Sequence, residues 1–235
     1  MTLADLVGSA GFFLIDFDGP ICSVFAGHPA PVVADDLRDV IRRHNGGELP
    51  TKLAEPHGDP LRLLVDVGEL GDDELTGKVA NASRDAEVTA VQSAAPTQGA
   101  DEVLRAASLT GRKVAVVSNN ATTAIGEYLA LHGMASYVDG IASRFDGMDP
   151  CLLKPHPFLL ERALSSAGVP RDRAVFIGDS VTDVEAGRAA GIRTIGYANK
   201  PGKQQRLTDA GADIVIHSMR ALAAELLSTA TRPMR

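Results

Sequence analysis

The chain has 235 residues, 45% of them hydrophobic, and a formal net charge of −7 at pH 7. This length suffices for one large domain or one domain with an insertion. The acidic balance argues against nucleic acid as a partner, because proteins that bind nucleic acid present a basic face to the phosphates. A small-molecule ligand fits the composition better.

The cysteines and the opening residues indicate a compartment. Cys22 and Cys151 form no CxxC pair and no zinc pattern, which favours reduced thiols in a reducing environment. The opening sequence MTLADLVGSAG has no basic region and is not typical of a signal peptide. No apolar run approaches ~20 residues, so no membrane span is predicted. We therefore expect a cytoplasmic protein with no membrane partner.

The first predicted element in chain order is a strand over Phe12–Ile15, within FFLIDFDGPIC. This apolar run ends at two carboxylates, Asp16 and Asp18, and buried carboxylates are costly unless a positive group pairs with them. Their spacing of two residues directs both to one side of an extended chain. Gly19 lets the backbone leave the strand sharply.

The next segment, residues 22–95, is predicted to be helical, with helices at about 31–44, 59–69 and 71–94 and no strand. From residue 96 onward, short β-rich runs alternate with helices. The predicted strands are 113–117, 137–141, 174–177, 194–197 and 214–216, and the predicted helices are about 97–109, 121–132, 156–167, 181–190, 202–210 and 218–229.

Strands that are apolar on both faces predict a parallel sheet covered by helices on both sides. The expected fold is therefore α/β, with a doubly wound, Rossmann-like parallel sheet as its core. We expect residues 1–21 and 96–235 to form this core. Residues 22–95 are expected to form a small all-helical cap domain inserted after the first strand.

Polar residues follow several of the predicted strands, and ligands of doubly wound sheets collect at the carboxyl ends of the strands. A cluster of carboxylates there calls for a hard cation such as Mg²⁺, which takes one or two carboxylates, waters and a phosphate oxygen. A lysine and a hydroxyl in the same place suit the other phosphate oxygens. The residues in these positions are Asp16, Asp18, Ser118, Asn119, Asn120, Lys154, Asp179 and Asp183.

Each of these residues taken alone has a simpler explanation. Ser180 and Asp183 fit a helix capping box, and Ser118 or Asn120 fits a helix N-cap. Lys154 alone would be a surface lysine, and Asp18 with Gly19 would be a turn. Their common placement at strand ends favours one site.

Four motifs resemble those of the haloacid dehalogenase superfamily, in its phosphatase branch with a helical cap inserted after the first motif. They are DFDGP (16–20), VVSNN (116–120), KPHP (154–157) and GDSVTD (178–183). Where that family usually has threonine or valine after the first motif's glycine, this chain has Pro20. Because proline lacks an N–H and fixes φ, we expect a differently shaped flap after the first strand.

The resemblance implies a role for each motif residue. Asp16 would be the nucleophile that forms an aspartyl-phosphate, and Asp18 would protonate the leaving oxygen and then activate water. Ser118 and Lys154 would hold the phosphoryl oxygens. Mg²⁺ would be bound by Asp16, the Asp18 backbone carbonyl and Asp179, with Asp183 as a ligand or directly behind the ligands.

These roles predict a Mg²⁺-dependent phosphomonoester hydrolase acting on a small, soluble phosphorylated metabolite. The superfamily's dehalogenases need no metal but lack the second aspartate, so Asp18 favours phosphate chemistry. Sugar-phosphate mutases keep both aspartates and stay an alternative. A non-catalytic binding protein on this fold would usually lose the nucleophile.

The cap is expected to select the substrate. Phe25 and His28 follow the first motif closely, so both are predicted to contact the substrate, together with Ser118, Asn119 and Lys154. Phe25 could instead belong to the cap core and His28 to a solvated loop. Four cap arginines are candidates for a second anionic group or for solvated helix faces: Arg38, Arg42, Arg43 and Arg62.

Overall fold

The computed structural model describes residues 1–53 and 57–230. The strands of this part of the chain are β1 (Phe12–Ile15), β2 (Cys22–Ser23), β3 (Ala95–Pro96), β4 (Lys113–Ala121), β5 (Gly140–Arg144), β6 (Ala174–Gly178), β7 (Arg193–Tyr197) and β8 (Ile214–Ile216). Its α-helices are α1 (Leu3–Ser9), α2 (Ala30–His44), α3 (Pro60–Gly68), α4 (Asp73–Val91), α5 (Ala100–Leu109), α6 (Thr122–Leu131), α7 (Phe158–Ala167), α8 (Val181–Ala190), α9 (Lys203–Ala210) and α10 (Met219–Ala230).

Six of the strands form one parallel sheet in the order β5-β4-β1-β6-β7-β8, which confirms the predicted parallel core. Strand β1 is buried over its whole length and lies between β4 and β6. Its last residue, Ile15, is in register with Val116 on one side and Ile177 on the other. Residues that follow these three strands therefore emerge together at one edge of the sheet.

Alternate residues of β1 face the two layers of helices, as the two-residue period of a strand requires. Phe13 and Ile15 belong to a buried cluster with side chains from α1, α5, α6 and α10. Phe12 and Leu14 belong to the other cluster, with side chains from α7, α8 and the three helices that follow β2. The sheet is thus covered on both faces, as a doubly wound fold requires.

Helices α2, α3 and α4 form the predicted helical cap after the first strand. The prediction that residues 22–95 contain no strand was wrong, because β2 pairs antiparallel with β3, Cys22 opposite Pro96 and Ser23 opposite Ala95. Two-residue strands are too short to show a period of two in the sequence. This small ladder ties the beginning and the end of the cap segment together.

Other differences lie at element ends. Strand β5 begins at Gly140 rather than 137, because Ala135–Tyr137 forms a 3₁₀ turn, and β4 continues to Ala121 with a register shift after Ser118. Helix α1 was not predicted, although Thr2 and Asp5 form a capping box at its start. No helix within residues 1–53 and 57–230 is long and apolar enough to cross a membrane.

A buried ion pair joins the cap to the sheet. Glu87 of α4 lies 2.5 Å from Arg144 of β5 through Oε1 and Nη2, and both side chains are at most 5% exposed. The other Glu87 oxygen accepts a hydrogen bond from the Ala121 backbone at 2.6 Å. Arg144 Nε donates to the Asn119 carbonyl at 3.1 Å. Glu87 of the cap is therefore bonded directly to Ala121 of β4 and is linked through Arg144 to the Asn119 carbonyl.

Candidate active site

Asp16 extends β1 into the sheet edge: its backbone N–H donates to the Ile177 carbonyl at 2.9 Å. Its Oδ1 accepts from the Phe17 N–H at 2.7 Å and lies 2.8 Å from Lys154 Nζ. Burial, and then the nearby Asp183 carboxylate, raise the pKa of Asp16, while Lys154 opposes that change. The ionised form of this carboxylate consequently depends on positive charge placed beside it.

Lys154 is a buried ammonium held between two carboxylates. Its Nζ lies 2.8 Å from Asp16 Oδ1 and 2.6 Å from Asp183 Oδ1, and it donates to the Val117 carbonyl at 3.2 Å. These carboxylates raise the pKa of Lys154 although burial lowers it. The lysine therefore stays charged beside Asp16 and Asp183.

Asn119, predicted to bind substrate, uses both ends of its side chain on the Lys154 backbone. Its Oδ1 accepts from the Lys154 N–H at 2.8 Å, and its Nδ2 donates to the Lys154 carbonyl at 3.1 Å. Asn119 also borders the cleft. Through these two bonds, Asn119 holds the backbone of Lys154 in place.

Asp183 serves as helix cap and as lysine partner at once. Its Oδ2 accepts from the backbone N–H groups of Asp179 and Ser180 and from the Ser180 hydroxyl, at 3.1, 3.0 and 2.7 Å. Its Oδ1 is paired with Lys154. The capping box is therefore real, and the same carboxylate also orients the lysine. These bonds favour a place behind the metal ligands.

Asp179 lies at the start of the turn after β6. Its Oδ2 accepts from Asn199 Nδ2 at 2.9 Å and forms an ion pair with Lys203. A Cβ at Gly19, whose φ is +106°, would come within 2.3 Å of the Asp179 carboxyl carbon, so glycine is required there. Neither Asn199 nor Lys203 was predicted, although both follow β7 at the same edge and the strand-end rule could have found them.

Asp18 and Ser118 complete the part of the site formed by the sheet edge. Asp18 Oδ1 accepts from the Val24 N–H at 3.0 Å, and burial raises the pKa of Asp18 to about 6. A carboxyl with such a pKa is suited to proton transfer near neutral pH. Ser118 Oγ accepts from the Asn120 N–H at 3.3 Å and lies 3.2 Å from Asn120 Oδ1.

The turn after Asp18 accommodates Pro20 without losing a hydrogen bond. The N–H groups of Ile21 and Cys22 donate to the Phe17 carbonyl at 3.2 and 3.1 Å, and the Gly19 N–H donates to the Cys22 carbonyl at 2.6 Å. None of these bonds needs a donor from Pro20. The residue is buried in the turn.

These groups border a cleft of about 750 Å³ between the sheet edge and the cap. Its lining residues from the sheet edge include Asp16, Asp18, Ser118, Asn119, Asn120, Lys154, Asp179 and Asp183. From the cap side it is lined by Phe25, Ala30, Gly58, Asp59, Pro60, Leu61, Arg62 and Val65. The structure therefore brings the motif residues together, with Phe25 facing the same space.

The other predicted cap residues lie elsewhere. His28 is half-buried and does not belong to the set of described residues that line the cleft. Arg38 is buried and donates to Asp35 and to the His57 carbonyl, and Arg42 pairs with Asp39. Of the four candidate arginines, Arg62 is the one found in the described lining.

Three carboxylates fit a metal ion. Asp16, Asp179 and Asp183 each offer an oxygen within 4.8 Å of the others. Hard oxygen donors suit Mg²⁺ rather than a metal that prefers sulfur or imidazole. Since both Asp183 oxygens already accept hydrogen bonds, Asp16 and Asp179 are the side chains best placed to hold the ion.

Comparison with known proteins agrees with this geometry. A phosphoglycolate phosphatase of Cupriavidus necator is 33% identical over 139 residues, which cover 57% of each chain, so this chain matches little more than half of that enzyme's length. A phosphoglycolate phosphatase of Caulobacter vibrioides is 29% identical and covers 92% of this chain and 90% of its own.

Solved structures show the same fold. A predicted phosphatase from Clostridium acetobutylicum superposes with a TM-score of 0.70 at 20% identity, covering 93% of this chain and 99% of its own. The sequence profile of the haloacid dehalogenase-like hydrolases matches residues 62–197. Since that match includes more than half of the sequence, the chain belongs to the haloacid dehalogenase-like hydrolase family.

Proposed function

We propose that this protein is a Mg²⁺-dependent phosphomonoester hydrolase that acts on a small phosphorylated metabolite through an aspartyl-phosphate on Asp16. The observation that carries the proposal is the buried contact of Asp16 with Lys154 at 2.8 Å, in a cleft that also contains Asp18 and Asp179. A nucleophile, an acid–base group and cationic support thus share one space.

In the first half of the reaction, Asp16 attacks phosphorus and the bond from phosphorus to the ester oxygen breaks. Oδ1 of Asp16 accepts from the Phe17 N–H and is paired with Lys154, and these two contacts orient the carboxylate for the attack. The Asp18 carboxyl gives its proton to the departing alkoxide, so the leaving group is released as an alcohol.

In the second half, the Asp18 carboxylate takes a proton from a water molecule as that water attacks the aspartyl-phosphate. The bond between phosphorus and Asp16 breaks, which releases inorganic phosphate and restores both carboxyl groups. Lys154 and Ser118 bind phosphoryl oxygens throughout. A Mg²⁺ ion held by Asp16, the Asp18 carbonyl and Asp179 would supply further positive charge at the phosphoryl group.

The cap side of the cleft supports a substrate with a second anionic group. Arg62 lines the cleft, its Nε lies 2.9 Å from Asp66, and its side chain is 62% exposed. Asp66 is in turn 3.0 Å from His57 Nε2. An arginine anchored through Nε keeps its terminal nitrogens for a carboxylate or phosphate. Phosphoglycolate, the substrate named for the two bacterial relatives, carries such a carboxylate.

The test is phosphate release from 4-nitrophenyl phosphate and from a panel of phosphorylated metabolites, with Mg²⁺ and with EDTA. We expect release with Mg²⁺, its loss in EDTA and its recovery when Mg²⁺ is restored. Full turnover in EDTA would contradict the proposed dependence on Mg²⁺. Isomerisation of sugar phosphates without release of phosphate would identify a mutase, and inactivity toward every ester would favour a binding protein.

A further inference from the structure

Lys203 brings a second ammonium to the carboxylate cluster. It is the first residue of α9, and its Nζ is paired with Asp179 Oδ2. Asn199 Nδ2 donates to the same oxygen at 2.9 Å. The two charged side chains are 21% and 13% exposed, so water screens this pair less than it screens an ordinary surface pair.

The loop after β7 is built to hold Lys203 there. The Ala198 N–H donates to the Ile216 carbonyl at 2.8 Å, which fixes the start of the loop on β8. Gly202, with a φ of +80°, precedes α9, and the Lys203 N–H donates to the Lys200 carbonyl at 3.3 Å. The loop therefore turns back toward the sheet edge and delivers the first side chain of α9 to Asp179.

Two ammonium groups thus pair with different carboxylates of the cluster formed by Asp16, Asp179 and Asp183. Lys154 contacts Asp16 and Asp183, while Lys203 contacts Asp179. The mechanism uses Lys154 for the phosphoryl group but gives Lys203 no part. Lys203 and Asn199 both contact Oδ2 of Asp179, so an ion held by the same carboxylate would lie close to the Lys203 ammonium. Two cations in that space repel one another.

We infer that Lys203 is a built-in counter-cation of the metal site, which competes with Mg²⁺ for Asp179 and lowers the affinity for the ion. This inference rests on the Mg²⁺ site of the proposed function. It has two consequences: the metal-free protein is stabilised by the Lys203–Asp179 pair, and Mg²⁺ bound to the same carboxylate is repelled by the Lys203 ammonium and weakens that pair.

The test is Mg²⁺ titration of the full chain by isothermal calorimetry, without substrate. Lys203→Met should bind Mg²⁺ about five- to tenfold more tightly, the range expected when a cation beside the site no longer repels the ion. Lys203→Arg keeps the charge and should match the wild type. Lys200→Met removes an equal charge from the same loop and should change the affinity less than about twofold.

A thermal readout checks the second consequence without measuring activity. The metal-free Lys203→Met protein should melt at a lower temperature than the wild type, and Mg²⁺ should raise its Tm by more than it raises the wild-type Tm. An unchanged or weaker Mg²⁺ affinity in Lys203→Met would overturn the inference.

Two further outcomes separate this inference from the proposed function. If Lys203→Met keeps the wild-type Mg²⁺ affinity but binds inorganic phosphate more weakly in the presence of Mg²⁺, Lys203 is a phosphate ligand and the competition is refuted. If neither the wild type nor any Lys203 variant binds Mg²⁺, the metal site itself is refuted and the inference with it. Asp179→Asn, expected to lose Mg²⁺ binding, reports on the site alone.

Discussion

The two sides of the cleft differ in how their charges are held. On the sheet edge, Asp16, Lys154 and Asp183 are buried, and each has a partner within 2.8 Å. On the cap side, the Arg62 side chain is 62% exposed and is paired with Asp66. Buried and mutually paired charges keep a fixed geometry, whereas an exposed arginine adapts to what it binds. The sheet edge therefore presents charges in a fixed arrangement, whereas the cap presents a charge that can adjust to a bound molecule.

The cap and the edge are nevertheless joined by the buried Glu87–Arg144 pair. Its bonds reach the backbone of Asn119 and Ala121, in the stretch of β4 where the register shifts after Ser118. A buried pair of this kind adds little net stability compared with apolar packing, but breaking one half of it is costly. The pair therefore couples the position of α4 to the end of β4, the strand that carries Ser118.

The largest effect is expected at the sheet edge. Asp16→Asn should lower kcat for phosphate release by about 10⁴-fold or more, because an amide cannot form the covalent intermediate. The circular dichroism spectrum should be unchanged, since asparagine has the same size. Near-normal turnover in this variant would rule out Asp16 as the nucleophile.

A second experiment separates the two aspartates of the edge. Asp18→Asn should reduce turnover of alkyl phosphates by about 100-fold or more, and turnover of aryl phosphates by less, because good leaving groups need little protonation. The measurement is kcat/KM over a series of esters with leaving groups of graded pKa. An equal loss across the series would remove the acid role from Asp18.

A third experiment breaks the link between the two sides. Glu87→Ala leaves the Arg144 guanidinium buried without its partner and should lower the free energy of unfolding by about 3–5 kcal/mol. The double variant Glu87→Met with Arg144→Met should recover part of that loss, because no unpaired charge is left. Urea denaturation gives both values. Equal stability of the single and double variants would show that the unpaired charge is not the cause.

The smallest effects are expected in the cap. Arg62→Met and Phe25→Ala should change the relative kcat/KM among phosphorylated metabolites by about tenfold, while 4-nitrophenyl phosphate, with few cap contacts, changes less. His28→Ala tests the remaining predicted contact and, because His28 lies outside the described lining, also serves as the comparison. An unchanged ranking of esters in all three variants would place selectivity elsewhere.

Most of the residues at this edge of the sheet could be predicted, because they closely follow strands in the sequence. Strand β1 was predicted with its observed bounds, and a parallel sheet brings strand ends together whatever the loops do. The capping box at Ser180 and Asp183 could also be predicted, because it depends only on two residues that are three positions apart. Here the chemistry was encoded within short stretches.

The partners of these residues depended on distant contacts. Asn119 reaches the backbone of Lys154, Lys203 reaches Asp179, and Glu87 reaches Arg144, over separations of 35, 24 and 57 residues. No local periodicity encodes such pairs, because they arise when separate elements pack. The sequence by itself determined the six strands of the parallel sheet and the helices other than α1, and it indicated the candidate reactive groups. The tertiary structure alone decided which charges neutralise one another and which cap residues face the cleft, since burial and distance exist only after the chain has packed.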